Sequence, residues 1–272
     1  MRYLCFRSAL AALSFATAAG AEQIAPASLS DLPPADVVIL GEIHDNPIHH
    51  ANQAAAVAAI RPAALVFEML TPEQAARVTP DIRGDASALG AALGWAESGW
   101  PDFAMYHPIF TAAPGAAVYG AALPRGEVRR SVGEGAAVVF GDEASAYGLA
   151  DPLPGDEQAA REAGQMEAHC NAMPAEMMGG MVEAQRLRDA ALARAARAAL
   201  DDTGGPVAVI TGNGHARTDW GMGRALARVA PGARVLAIGQ LEAPPGETPP
   251  FDLWLVTDPA ERPDPCEGLR GN

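Results

Sequence analysis

No lysine occurs in the sequence. All 19 basic residues are arginine, which beside abundant Ala, Gly and Pro reads as a GC-rich coding bias rather than a functional device. Positive charge is short altogether, since 33 acidic residues leave a formal net charge of −14. That balance disfavours nucleic acid and anionic membrane surfaces as partners, because both are held through basic patches. It leaves room for a small anionic ligand held by a few local arginines. Aromatic residues make up only 6% of the chain, and cysteine occurs three times. No apolar run reaches the ~20 residues of a membrane-spanning helix. Hydrophobic residues nevertheless account for 49% of 272 residues, enough for one sizeable core.

The N-terminus has the pattern of an export leader. Arg2 and Arg7 form a basic start, Ser8 to Ala18 is a short run of apolar and small residues, and Ala19-Gly20-Ala21 fits a cleavage site. Residues 1–21 are therefore expected to be removed before Glu22. Cys5 precedes the apolar run, the wrong place for a lipid-acceptor cysteine, and no lipobox is recognisable. The mature chain, with 17 Arg against 33 acidic residues and a net charge of −16, is expected to be a soluble protein of a bacterial periplasm. Its two remaining cysteines, Cys170 and Cys266, are expected to pair in that oxidising compartment and tie the C-terminal tail to the central helical region.

Two stretches carry the functional signal. Val37-Val38-Ile39-Leu40 runs into Gly41-Glu42-Ile43-His44-Asp45-Asn46, followed by His49-His50. Far downstream, Val207-Ala208-Val209-Ile210 runs into Thr211-Gly212-Asn213-Gly214-His215. A continuous apolar run bounded by glycine reads as a strand buried on both faces. Each run ends in Gly-x-x-His. Ligands of open α/β sheets bind outside the carboxyl ends of the strands, so the two histidines are expected in one pocket.

The rest of the chain reads as one α/β domain over 22–272, a mostly parallel sheet flanked by helices. Glu22 to Asp36 is expected to cross the surface, and Ile48 to Ile60 to form a helix ended by Pro62. Ala64 to Met69 is expected as a strand with Glu68 near its carboxyl end; a buried carboxylate there calls for a partner. Thr71 caps a short helix beginning at Pro72, and Asp81 to Ser98 holds one or two more. Trp95, Trp100, Phe103, Tyr106, His107 and Phe110 form an aromatic cluster. Ala116 to Gly120 reads as a strand. A helical insertion over about 142–202 holds helices at Gly155–Cys170 and Pro174 to about Leu200, with Met166, Met173, Met177, Met178 and Met181 in or beside them. Helical spacing pairs Arg186 with Asp189. Ala216 to Val229 is expected as a helix, and Arg234 to Gly239 and Phe251 to Thr257 as strands.

Glu42, His44, Glu68 and His215 thus gather at one sheet edge. Two histidines and a carboxylate, His44, His215 and Glu68, form a common divalent-metal set whose open position activates water. Without metal, the same groups do acid–base work. A polar cluster that only satisfies itself is a third reading, and His49-His50 read equally as the start of the first helix.

The order of these motifs adds to that reading. The segment Leu40 to Asn46 with His49-His50, Phe67-Glu68-Met69, Trp100-Pro101 to Tyr106-x-Pro108-Ile109, His169-Cys170, Ala184-Gln185-Arg186-x-Arg188-Asp189-Ala190 and Gly212 to Arg217 resembles the ChaN-like branch of the haem-binding-uptake/Tiki superfamily. The resemblance spans roughly Asp36 to Cys266. It implies an EreA/ChaN-like α/β fold and a role in bacterial iron or haem uptake. It also implies haem as cofactor, two haems paired across a homodimer, and a tyrosine on the iron. Tyr106 lies in a matched motif and is the candidate iron ligand. His49 and His50 are further haem-contact candidates, with Arg186 or Arg188 for the propionates. Other branches, of the Tiki/TraB type, imply the alternative: a metal-dependent protease or esterase. There His44, Glu68 and His215 would hold zinc or manganese, with Glu42 as proton shuttle.

Overall fold

The computed structural model describes residues 20–264, 266 and 267. Apart from Gly20 and Ala21, the expected leader lies outside the described residues. The strands are β1 (Glu22–Gln23), β2 (Val37–Glu42), β3 (Ala64–Phe67), β4 (Ala117–Gly120), β5 (Val207–Gly212), β6 (Val235–Leu241) and β7 (Leu253–Val256). They form one 7-stranded sheet in the order β1-β7-β6-β2-β5-β3-β4. Every pairing is parallel.

The helices are α1 (Pro47–Ile60), α2 (Pro72–Ala75), α3 (Ala86–Leu93), α4 (Phe103–Ala112), α5 (Arg125–Glu134), α6 (Ala136–Phe140), α7 (Gly155–Ala168), α8 (Met178–Thr203), α9 (Asn213–Ala216) and α10 (Met222–Val229). They cover both sheet faces, which is why the central strands are apolar throughout rather than alternating. Val38, Leu40, Leu65, Phe67 and Ile210 pack with Val57 of α1, Leu89 of α3 and Phe110 of α4. Val37, Ile39, Val66 and Val209 pack with Leu187 and Leu192 of α8 and Leu226 of α10.

Period-two alternation then decides where the polar residues at the strand ends point. Glu42 continues the Val38–Leu40 parity and turns to the α4 face. Glu68 and Thr211 continue the Val66 and Val209 parities and turn to the α8 face. In-register pairing sets Glu42 beside Gly212 at the carboxyl ends of β2 and β5.

Several elements differ from expectation. Glu22–Gln23 adds a short strand beside β7 instead of only crossing the surface. The expected helix over Ala216–Val229 is split into α9 and α10. Arg217 forks onto the Asp219 carboxylate and lies over the Trp220 ring, so Arg217–Gly221 forms a turn. Helices begin at Arg125, ahead of the expected insertion. Helix α4 carries Pro108 inside it, a residue that argues for a break; burial of Tyr106, Ile109 and Phe110 outweighs that cost. A disulfide joins Cys170 to Cys266 with their Cα atoms 5.4 Å apart.

Candidate functional site

The loop leaving β2 is held from several sides before any ligand is considered. Asn46 caps α1 by accepting from the Ile48 amide at 2.9 Å, and Pro47 occupies the first helical turn. The Asn46 side chain also donates to Glu242 at 2.7 Å. Arg262, from the C-terminal tail, forks onto Asp45 at 2.6 and 2.8 Å and also reaches Glu242. That guanidinium holds the Glu242 carboxyl down to about 2.

Within this frame stand two carboxylate–imidazole pairs. In the first, His44 Nδ1 donates to Glu42 Oε1 at 2.7 Å. Glu42 is 1% exposed and also accepts from the Tyr106 hydroxyl at 3.0 Å. Its second oxygen lies 3.3 Å from His50 Nδ1. Burial alone would raise the Glu42 pKa, but His44 and His50 overcome it and hold the carboxyl at about 2. In the second pair, His215 Nδ1 donates to Asp189 Oδ1 of α8 at 2.7 Å. Burial would lower the His215 pKa; the Glu68 and Asp189 charges outweigh it and raise it. Asp189 itself is pushed up by burial.

Glu68 stands between the two pairs. Its Oε2 accepts from Thr211 Oγ1 at 2.7 Å and from the Gly212 amide at 2.8 Å, while Oε1 lies 3.6 Å from His215 Nε2. Burial would raise its pKa, but the His215 and His44 charges and these hydrogen bonds lower it. The His44 pKa is raised in turn: burial opposes protonation, and Glu42 and Glu68 overcome it. A Cβ on Gly212 would sit 2.9 Å from His44 Nε2 and 3.8 Å from Glu68 Oε2. The glycine of the second Gly-x-x-His therefore makes room for the imidazole of the first. Gly41 likewise has Asn213 Oδ1 2.4 Å from where its Cβ would lie.

A cleft of about 700 Å³ opens beside Glu68, between the segment around Trp100 and helices α5 and α8. Its apolar wall includes Met69, Trp100, Leu123, Val128 and Met181, and Arg125, Arg129 and Arg188 bring positive charge to it. The His44 ring packs against Trp100 with centroids 4.8 Å apart. Its Nδ1 is committed to Glu42, whereas its Nε2 makes no hydrogen bond among the described residues, and the side chain is 35% exposed. An imidazole oriented through Nδ1 by a carboxylate, with Nε2 open, is how proteins commonly present histidine to a metal.

The model of a haem-binding uptake family, Tiki superfamily, ChaN, matches residues 28–226. The chain belongs to this ChaN family. Among solved structures it is similar to ChaN of Campylobacter jejuni, described with cofacial haem binding, at 19% identity and a TM-score of 0.59, over 82% of this chain and 85% of that one. The type III effector HopBA1 aligns at 14% identity and a TM-score of 0.45, over 86% and 92% of the two chains. No curated protein matches the chain at a significant level. The expected α/β fold with a parallel sheet is the one found.

Of the residues singled out in sequence, the ChaN-family fold brings Glu42, His44, Glu68 and His215 together and sets Arg188 on the cleft. The others are turned inward. Tyr106, the candidate iron ligand, is fully buried under Glu42, with its ring against His50 and Trp95, so it has no free face for a planar ligand. Burial and the Glu42 charge also raise its pKa, opposing the phenolate that binds iron. His49 accepts from the Ile43 amide through Nδ1 and donates to Thr257 through Nε2, leaving no ring nitrogen for a ligand. Burial holds His49 neutral, with its pKa lowered to about 4. His50 donates to the His44 carbonyl and faces Glu42.

Arg186 does not pair with Asp189. It bonds Glu183 and the carbonyls of Gly148, Leu149 and Asp151, while Asp189 turns to His215. Among the described residues, no three His, Cys, Asp or Glu side chains converge closely enough to form a ready metal cage. Asp189, Thr211 and Trp100 are the site residues the sequence reading did not assign to this chemistry. The Ala184–Ala190 motif held the one signal for Asp189.

Proposed function

We propose that this ChaN-family chain binds haem in the cleft beside Glu68 and serves bacterial iron or haem acquisition after export to the periplasm. One observation carries the reading: an apolar, aromatic and thioether-lined cleft with arginines at its edge has as one wall Trp100, whose other neighbour is a histidine with an open Nε2. The cleft volume falls within the ~300–1,000 Å³ usual for small-molecule sites. Haem supplies the iron and porphyrin chemistry when bound. His44 would reach its iron, oriented by Glu42 and backed by Trp100. Met69, Trp100 and Met181 would meet the porphyrin face, and Arg188 a propionate. Cofacial pairing of two haems, as described for the Campylobacter jejuni protein, would here need a second copy of the chain.

The test is a haemin titration followed by visible absorption. A saturable Soret shift that changes in His44→Ala and persists in Tyr106→Phe is expected. No saturable shift in the wild type removes the reading.

A second reading has its own support. Two carboxylate-held imidazoles face one carboxylate, a constellation suited to acid–base hydrolysis, with or without zinc or manganese on His44, Glu68 and His215. Its test is metal analysis of the purified protein together with an esterase and peptidase screen. Loss of turnover in both His44→Ala and His215→Ala is expected, and turnover surviving both changes removes it.

A further inference from the structure

The cleft has an uneven distribution of charge that its own fold does not explain. Thirteen of the sixteen described arginines have a hydrogen bond or ion pair within the fold. Arg61, Arg129 and Arg188 have none among the described residues. Arg61 is exposed where α1 ends, just ahead of β3, at the opposite end of the sheet from the cleft. The other two both line the cleft. Ten of the sixteen pair with a carboxylate and Arg77, Arg83 and Arg125 bond backbone carbonyls, so among the described residues an arginine with neither is the exception.

Neither carboxylate at the cleft answers these two guanidinium groups. Glu68 is already met by His215, Thr211 and the Gly212 amide. Glu97 is exposed and makes no ion pair among the described residues. The third arginine of the cleft, Arg125, donates to the Ser98 carbonyl at 2.7 Å and so has a fixed position of its own. Arg188 is only partly exposed, on the row of α8 with Met181, Ala184 and Leu192 that lines the cleft, one residue before the Asp189 that meets His215. A half-desolvated guanidinium without a counter-ion is costly to the free protein, and its charge opposes protonation of His215. The same group gains most from a carboxylate, which its planar fork matches with two parallel hydrogen bonds.

Resting on the binding reading above, we propose that Arg129 and Arg188 are the carboxylate anchor of the cleft, so that its ligand is an apolar molecule bearing acid groups and is recognised through them. The walls take the apolar body, and the two unpaired arginines take the acids. Arg186, expected in this role, is excluded from it by its four internal partners.

The experiment compares acid and ester forms of one ligand. Quenching of tryptophan fluorescence is titrated with haemin, with iron-free deuteroporphyrin and with its dimethyl ester, in one cosolvent. The proteins are wild type, Arg129→Ala, Arg188→Ala, the double variant, and Arg61→Ala as an unpaired arginine outside the cleft. A second probe pair, cis-parinaric acid and the corresponding alcohol, carries the same contrast on an unrelated apolar body. Circular dichroism confirms that each variant is folded, and Arg188→Lys keeps the charge where the shorter side chain perturbs packing.

The diacid is expected to bind the wild type at least about 100-fold more tightly than the diester, with about a tenfold loss for each cleft arginine removed and none for Arg61→Ala. Equal binding of acid and ester, with haemin still bound, overturns the anchor and leaves the haem reading standing. If haemin and porphyrin fail to bind while parinaric acid binds in an arginine-dependent way, the haem reading falls and the anchor stands. If no acid binds better than its ester or alcohol, the anchor falls.

Discussion

Replacing Glu42 by Gln tests the electrostatic core of the site. The carboxylate is 1% exposed, accepts from His44 and Tyr106, and lies 3.3 Å from His50. Its pKa falls from 4.5 to about 2 on folding. A lowered carboxyl pKa means stability that is fully present above the unfolded value and is lost as pH falls through the folded one. At about 1.4 kcal/mol per unit, the charged form contributes roughly 3 kcal/mol at pH 7 and roughly 1.4 kcal/mol at pH 3.

Glutamine keeps the shape and removes the charge, so this contribution is missing at every pH. Urea unfolding of both proteins should show Glu42→Gln less stable by about 3 kcal/mol at pH 7, with the gap narrowing by about 2 kcal/mol at pH 3. A gap that stays constant between the two pH values would refute the reasoning. The loss would then come from packing and hydrogen-bond geometry, and Glu42 would not be held as a charge by the two histidines.

Three further outcomes follow from the same geometry. Asp189→Asn should lower the His215 pKa, read by NMR titration of its ring proton. Because that pKa is raised above 6.5 in the fold, its stabilisation is present below 6.5 and lost as pH rises through the folded value, so the variant should show a weaker alkaline decline. Gly212→Ala would put a Cβ 2.9 Å from His44 Nε2, at an expected cost of about 1–3 kcal/mol; a haem spectrum identical to wild type would remove His44 as the iron contact. Cys170→Ser with Cys266→Ser opens a link with a sequence separation of 96, for which chain entropy gives a loss of up to about 4–5 kcal/mol. A loss under about 1 kcal/mol in thermal melts would mean that the Arg262 ion pairs hold the tail without it.

Much of this protein was legible in one dimension. Continuous apolar runs at Val37–Leu40, Ala64–Phe67 and Val207–Ile210 identify strands buried on both faces, and such strands imply a parallel sheet with helices on each side. Glycine after two of those runs marks the candidate functional edge, where side chains of the following loops crowd against strand backbone. The candidate site residues Glu42, His44, Glu68 and His215 follow from that edge rule. Helix α4 was hidden by Pro108, and the break after Ala216 by the pairing of Arg217 with Asp219 and Trp220.

Roles were decided only in three dimensions. Tyr106, His49 and His50 look like ligands because their chemistry allows it, yet Tyr106 and His50 spend their polar atoms on Glu42 and the His44 carbonyl, and His49 on the Ile43 amide and Thr257. Arg186 and Arg188 lie two positions apart on α8, so the 100° turn per residue sends one into internal carbonyls and leaves the other on the cleft. The partnership of Asp189 with His215 spans 26 residues and joins a helix to a strand end. A single sequence records which groups are present and on which face of an element they fall. Which of them remains unpaired depends on contacts between distant segments, and those form only when the sheet and its helices have packed.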